Sequence, residues 1–267
     1  KKELASLDEK SKVFGCAPSQ NINPKSRNSV KIRDPQKYMY RSAGGHIHIG
    51  KLPGSSGLDS VAVVLREPER LIAIMDIIVG NTCVLLDRNP SNKERRKVYG
   101  KAGEYRVPAH GIEYRTLSNF WLRSYPLMSF VMNLCRMSVC IMASTMPGRD
   151  FEKELLSMVK MSKIHQAINQ NDAELAWHNF QKIKPFIAMN IPLNNDFPLT
   201  TDNLDLFEFF VEKGIDYWFT EEPMAHWIKL SNYPNGGWEE FLKQMVRPQL
   251  LAEKPTPVPA LLRNKKP

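Results

Sequence analysis

The sequence predicts an α+β fold: an antiparallel sheet flanked by helices, followed by a mostly helical C-terminal half. Three observations predict it. Gly44-Gly45-His46-Ile47-His48-Ile49-Gly50 alternates polar and apolar residues with the two-residue period of a half-buried strand. Gly111-Ile112-Glu113-Tyr114-Arg115-Thr116-Leu117 does the same. From residue 126 onward the apolar residues recur at the spacing of helices. A chain of 267 residues can bury a sizeable core as one large or two small domains.

Residues 3–14 place Leu4, Leu7, Val13 and Phe14 as the apolar positions of a helix that stops at Gly15. Residues 16–40 are punctuated by Pro18, Asn21, Asn23, Pro24 and Pro35 and read as loop. The stretch is basic, with Lys25, Arg27, Lys31, Arg33, Lys37 and Arg41 against Asp34. Only Tyr38 and Tyr40 interleave aromatics, so a solvated loop is preferred to a nucleic-acid groove. The first motif strand is expected over 40–49. Past the turn Pro53-Gly54-Ser55-Ser56-Gly57, Pro68 opens a helix to Leu86. Asp76 falls inside its apolar stretch and needs a buried partner, which points to a structural role.

Residues 87–104 read as a polar loop and 105–118 as the second motif strand. A helix over 126–145 is apolar nearly all round; Asn133 and Arg136 interrupt it, so it is a buried helix rather than a membrane span. Asp150 caps a helix to about Asn169, and Asp172 caps another that ends at Lys184 before Pro185. Further helices are expected over 202–213, ending at Gly214, and near 238–246. The Pro- and Lys-rich end reads as extended or disordered. The expected division is a sheet region over 1–125, a helical region over 126–247 packed on it, and a tail over 248–267.

Hydrophobic residues at 42% and charged residues at 24% describe a soluble globular protein. The net charge of +9 favours anionic partners: nucleotide, phosphate, nucleic acid or acidic peptide. Cys16, Cys83, Cys135 and Cys140 form no Cys-x-x-Cys and suit reduced residues of a cytoplasmic protein. No signal peptide or lipidation motif is visible, and no membrane partner is expected. The chain begins Lys-Lys-Glu-Leu without an initiator Met, which suggests a processed or partial product.

Strand alternation puts His46 and His48 on one face and Ile47 and Ile49 on the other. Glu113 and Arg115 share a face, opposite Ile112, Tyr114 and Thr116. If both strands join one sheet, imidazole, carboxylate and guanidinium line one surface, a set suited to a metal and an anionic ligand. Arg95-Arg96-Lys97, Tyr99-Gly100-Lys101-Ala102-Gly103 and Arg106 lead into the second strand. Such a Gly-punctuated, cation-rich loop suits phosphate. Either stretch alone reads as an ordinary half-exposed strand; the combination is what indicates a site.

The combination Gly-Gly-His-Ile-His-Ile-Gly, Arg-x-x-Tyr-Gly-Lys-Ala-Gly-x-x-Arg and Gly-Ile-Glu-Tyr-Arg-Thr-Leu-Ser-Asn resembles the phage-encoded amidoligases. These are carboxylate–amine ligases distantly related to glutamine synthetase and glutamate–cysteine ligase. The resemblance covers roughly residues 10 to 125 by motif, and the helical remainder more weakly. It implies a partial glutamine synthetase-like sheet, with 1–125 as the C-terminal portion of a ligase domain. It also implies acidic metal ligands on earlier strands, which are missing ahead of Gly15. ATP-dependent amide formation through an acyl phosphate is the implied reaction. The implied substrates are a small-molecule or peptide carboxylate and an amine.

By the same resemblance, His46 and Glu113 hold Mg²⁺ or Mn²⁺. Arg115 binds the transferred phosphate or the substrate carboxylate, and Arg106 contacts the nucleotide phosphates. Arg96 and Lys101 are additional phosphate ligands. His48 binds substrate or holds the site in shape, and His110 is a surface residue. The competing reading is a non-catalytic structural or virion-associated protein reusing the ligase fold, with a phage particle or a second copy as partner. Its place would be the host cytoplasm or the virion. Nucleic-acid binding ranks last, because no recognised binding motif accompanies the charge.

Overall fold

The computed structural model describes residues 19–23, 44–50, 65–97, 99–123, 125–144 and 147–190, together with 204, 207, 208 and 211. The helices expected over 3–14 and 238–246 and the tail lie outside these residues, as does most of the basic loop and of the helix expected over 202–213.

Strands β1 (Gln20–Asn21), β2 (Ile47–Gly50), β3 (Glu104–Arg106) and β4 (Gly111–Tyr114) form one antiparallel sheet in the order β1-β3-β4-β2. The two motif stretches are therefore neighbours, through β2 and β4. The single strand expected over 105–118 is instead a hairpin. Pro108, without an N–H, interrupts the ladder, and its carbonyl accepts the Gly111 N–H at 3.0 Å to close the turn. Among the described residues of the first motif stretch the strand begins at Ile47, and Gly44 is held by an isolated bridge to Ser118.

The register places Ile47 opposite Tyr114, which in turn faces Tyr105. It also places His48 opposite Glu113, which faces Arg106. One step along, the Arg115 N–H donates to the Glu104 carbonyl at 3.0 Å. Side chains therefore sort into two sets. Ile47, Tyr105, Ile112 and Tyr114 join the hydrophobic core, while His46, Glu104, Arg106, Glu113 and Arg115 project from the other face.

The helices are α1 (Pro68–Met75), α2 (Asn81–Leu86), α3 (Ser91–Arg96), α4 (Tyr125–Ala143), α5 (Phe151–Met158), α6 (Met161–Gln170) and α7 (Ala173–Asn190). A π-helical segment, Asp76–Gly80, joins α1 to α2, so the helix expected over 68–86 is continuous but carries one wide turn. Helix α3 lies in a stretch expected to be loop; its sequence SNKERR has good helix formers but no apolar stripe to reveal it. Asp150 caps α5 by accepting the Lys153 N–H, and Asp172 accepts the Leu175 N–H at the start of α7, both at 3.0 Å.

The helix expected over 150–169 is broken at Val159, whose φ −139° and ψ 154° are extended. Helix α7 passes through Pro185 instead of ending before it. An interior proline costs about 3 kcal/mol, but Ile183, Phe186 and Ile187 are fully buried on both sides of it. Burying an apolar side chain of this size returns about 1.5–3 kcal/mol each, which outweighs the lost hydrogen bond.

The core cluster runs from the sheet through the π segment and α2 to α4, α6 and α7. Among the described residues no helix is long and apolar enough to cross a membrane. Asp76 is fully buried and takes the structural role its position implies. It accepts the Tyr114 hydroxyl at 2.8 Å and lies 3.1 Å from His165 Nε2, tying the π segment to β4 and α6.

Candidate functional site

Glu113 occupies the centre of the polar sheet face and has no exposed side-chain surface. Its Oε2 accepts from Arg106 Nε at 2.6 Å and lies 2.5 Å from Arg106 Nη2, a two-pronged contact that only a guanidinium makes. Its Oε1 lies 2.5 Å from His46 Nδ1 and 3.5 Å from Arg115 Nη1. Burial alone would push the Glu113 carboxyl up. The Arg106 hydrogen bond and the charges of Arg115 and His46 outweigh it and hold the pKa below the usual range.

His46 behaves in the opposite way. Burial and the Arg115 charge lower its pKa to about 4 against the pull of Glu113. It is therefore neutral near pH 7 and carries one ring proton. At 2.5 Å from a carboxylate oxygen, Nδ1 must carry that proton. Nε2 is then an acceptor, and the Tyr99 hydroxyl donates to it. The imidazole is thus held between the Tyr99 hydroxyl and the Glu113 carboxylate.

Arg115 is 1% exposed and stands between two carboxylates. Its Nε is 3.8 Å from Glu104 Oε1 and its Nη1 3.5 Å from Glu113 Oε1, so it is attracted to both and hydrogen-bonded to neither. Its Cζ lies 5.0 Å from the centroid of the Tyr99 ring. Glu104 faces the loop before β3: its Oε2 accepts the N–H groups of Gly100 at 2.7 Å and Lys101 at 3.0 Å. Gly100 has φ +71°, which lets the loop turn its amides onto that carboxylate. The loop that the sequence suggested for phosphate thus already wraps a carboxylate of its own chain.

His46, Glu113, Arg106 and Arg115 are brought together on one face. Lys101 lies beside them on the loop, with its N–H on Glu104 and its carbonyl accepting the Thr116 hydroxyl at 3.0 Å. Arg96 is not with them. It is 4% exposed, and its Nη1 donates to the Ile168 carbonyl at 2.6 Å and to Asn171 Oδ1 at 2.8 Å, closing the end of α6. The expected phosphate ligand is a structural arginine, because α3 turns its neighbour, Arg95, toward the loop instead. His48 pairs with His110 at 2.9 Å, so His110 has a partner rather than a purely solvent role.

The sequence names Arg95 and Tyr99 only as members of the cation-rich loop and gives no role to Glu104. For Glu104 a signal existed: it lies two residues before Arg106 and so shares its face.

The donor set bears on the expected divalent ion. Among the described residues no group of three or more His, Cys, Asp or Glu side chains could hold a metal. His46 and Glu113 supply two donors, and both oxygens of Glu113 already face cationic or N–H partners. These residues do not fit a closed metal site; a carboxylate set among guanidinium groups suits the binding of an anion.

A family model described as Phage phiEco32-like COOH.NH2 ligase-type 2 matches residues 34–196, a span that contains every residue of this face. Comparisons with curated proteins and with solved structures return no match.

Proposed function

Because the chain belongs to the phage phiEco32-like COOH.NH2 ligase-type 2 family, we propose that it joins a carboxylate to an amine at the expense of ATP, through an acyl phosphate. The family is named for carboxylate–amine ligation; the nucleotide, the intermediate and the kinship with glutamine synthetase belong to our reading. The observation that carries it is the convergence of Arg106 and Arg115 on one buried carboxylate beside His46.

In this reaction a carboxylate oxygen attacks the terminal phosphorus of ATP and ADP departs. The amine then attacks the acyl carbon, phosphate leaves and the amine loses a proton. The first step forces two anions together, so the protein's task is charge neutralisation and alignment. Arg115 grips the carboxylate or the transferred phosphate, and Arg106 the nucleotide phosphates, with Lys101 beside them. Glu113 and the Tyr99–His46 contact hold these groups in place. Mg²⁺ or Mn²⁺ would arrive with the ATP phosphates and neutralise part of their charge. The acceptor is a peptide or amino-acid carboxylate.

Nucleotide hydrolysis that depends on an added amine and on Mg²⁺ or Mn²⁺ tests the reading. Glu113→Ala and Arg115→Ala should each lower it on the order of 10²-fold. Normal rates in both variants overturn the site. One observation favours a second reading, a structural or virion-associated protein. Glu104 Oε2 already accepts the loop amides and Glu113 Oε2 already accepts from Arg106 within the chain. That reading predicts no ATP binding and co-purification with phage particles.

A further inference from the structure

Arg95, which the sequence places in the cation-rich loop without an individual role, stands at the same loop as Arg115. Its Nη2 donates to the Thr116 carbonyl at 2.8 Å, which fixes the guanidinium. Its Nε and Nη1 are buried with no hydrogen-bond partner. Arg115 shows the same condition at the same two atoms. Both guanidinium carbons face one ring: Arg95 Cζ is 6.0 Å and Arg115 Cζ 5.0 Å from the Tyr99 centroid. Gly100 leaves the space, since a Cβ there would overlap Arg95 Nη1.

Buried N–H groups that carry charge and lack acceptors are costly, and an anion is the ligand that satisfies them. Arg96 is engaged at the end of α6, and Arg106 is bound to Glu113. The buried N–H groups without a hydrogen bond are Nε and Nη1 of Arg95, Nε and Nη1 of Arg115, and Nε of Arg96; those of Arg115 lie 3.8 Å from Glu104 Oε1 and 3.5 Å from Glu113 Oε1.

We propose that Arg95 is a second anion-binding guanidinium of this face, acting with Arg115 beside the Tyr99 ring to hold an oxyanion, phosphate or carboxylate. The assignment rests on reading the face as an anion-binding site, and it does not require turnover. The reaction proposed above must hold a phosphate and a carboxylate together, and a second guanidinium provides for the second of them.

Titration of the whole chain with inorganic phosphate and, separately, with acetate tests this, at ionic strength held constant with chloride and thermal unfolding as the readout. In the wild type one of the anions raises the unfolding temperature beyond chloride. Arg95→Gln weakens its apparent affinity at least 10-fold. Arg95→Lys, which keeps the charge and loses the fixed N–H directions of the guanidinium, weakens it at least 3-fold and decides the matter if Arg95→Gln does not fold. A response to phosphate identifies the transferred-phosphate position and a response to acetate the substrate-carboxylate position; either supports the assignment. Wild-type affinity in both variants, or no stabilisation of the wild type by either anion, overturns it. Loss of amine-dependent turnover as a reading, with anion binding intact, would fall on the proposed reaction and leave Arg95 standing.

Discussion

Glu113 has no exposed surface, yet it carries a charge that three neighbours compete to balance. Removing one partner from such a group costs more than the pair itself is worth, because the other charge is left buried. Arg106→Ala removes the two-pronged contact and should cost about 2–3 kcal/mol, read from chemical denaturation at pH 7. Glu113→Gln leaves two guanidinium groups facing each other and should cost a similar amount. The double variant should be less unstable than the sum of the two losses; strict additivity would show that the contact does not contribute.

Strand alternation made His46, Glu113 and Arg115 legible as one face, because period two holds wherever a strand forms. Arg96 was misplaced for the complementary reason. Neighbours on a helix point about 100° apart, so an unrecognised helix decides which of two adjacent arginines faces the loop. The buried partnership of Glu104 with Gly100 and Lys101 was hidden, since it depends on a turn of the backbone rather than on spacing.

The hairpin between β3 and β4 sets the distance between the arginines, and its geometry depends on Gly111. That residue has φ +149°, and an added Cβ would overlap the Ile49 carbonyl oxygen on the neighbouring strand. Backbone cannot swing aside as a side-chain end can. Gly148, with φ +78°, has nothing within 4 Å of the same added atom. Gly148→Ala should therefore cost only the left-handed strain, about 1 kcal/mol. Gly111→Ala should cost more than twice that and separate β2 from β4. Urea denaturation of the two variants gives the comparison, and equal losses would contradict it.

Helices with an apolar stripe or a capping Asp, such as α4, α5 and the start of α7, were visible in sequence. Their interruptions were not: the break at Val159 and the passage through Pro185 are decided by burial elsewhere in the molecule.

At the scale of the whole molecule, two histidines titrate in opposite directions from opposite sides of the sheet. His46 lies among burial and guanidinium charge, which lower its pKa from 6.5 to about 4. Below pH 6.5 the unfolded chain therefore takes up a proton that the folded chain refuses, and stability falls as the pH drops from 6.5 toward 4. Glu113, held below its usual pKa by Arg106 and Arg115 against burial, extends the loss: its contribution disappears as pH falls through its lowered folded value. His165 lies against Asp76 beneath Tyr114. Burial lowers its pKa, but the hydrogen bond and charge of Asp76 prevail and raise it above 6.5. Its contribution is complete below the unfolded value and is lost as the pH rises through the folded one.

Together these predict a stability maximum near neutrality with separable flanks. In urea midpoints measured across pH, His165→Gln should remove the decline on the alkaline side and leave the acid side unchanged. His46→Gln should flatten the acid side between pH 6.5 and 4 and leave the alkaline side in place. An alkaline decline that survives in His165→Gln would mean that Asp76 is satisfied by Tyr114 alone. The link from the π segment through β4 to the arginine face would then not run through α6.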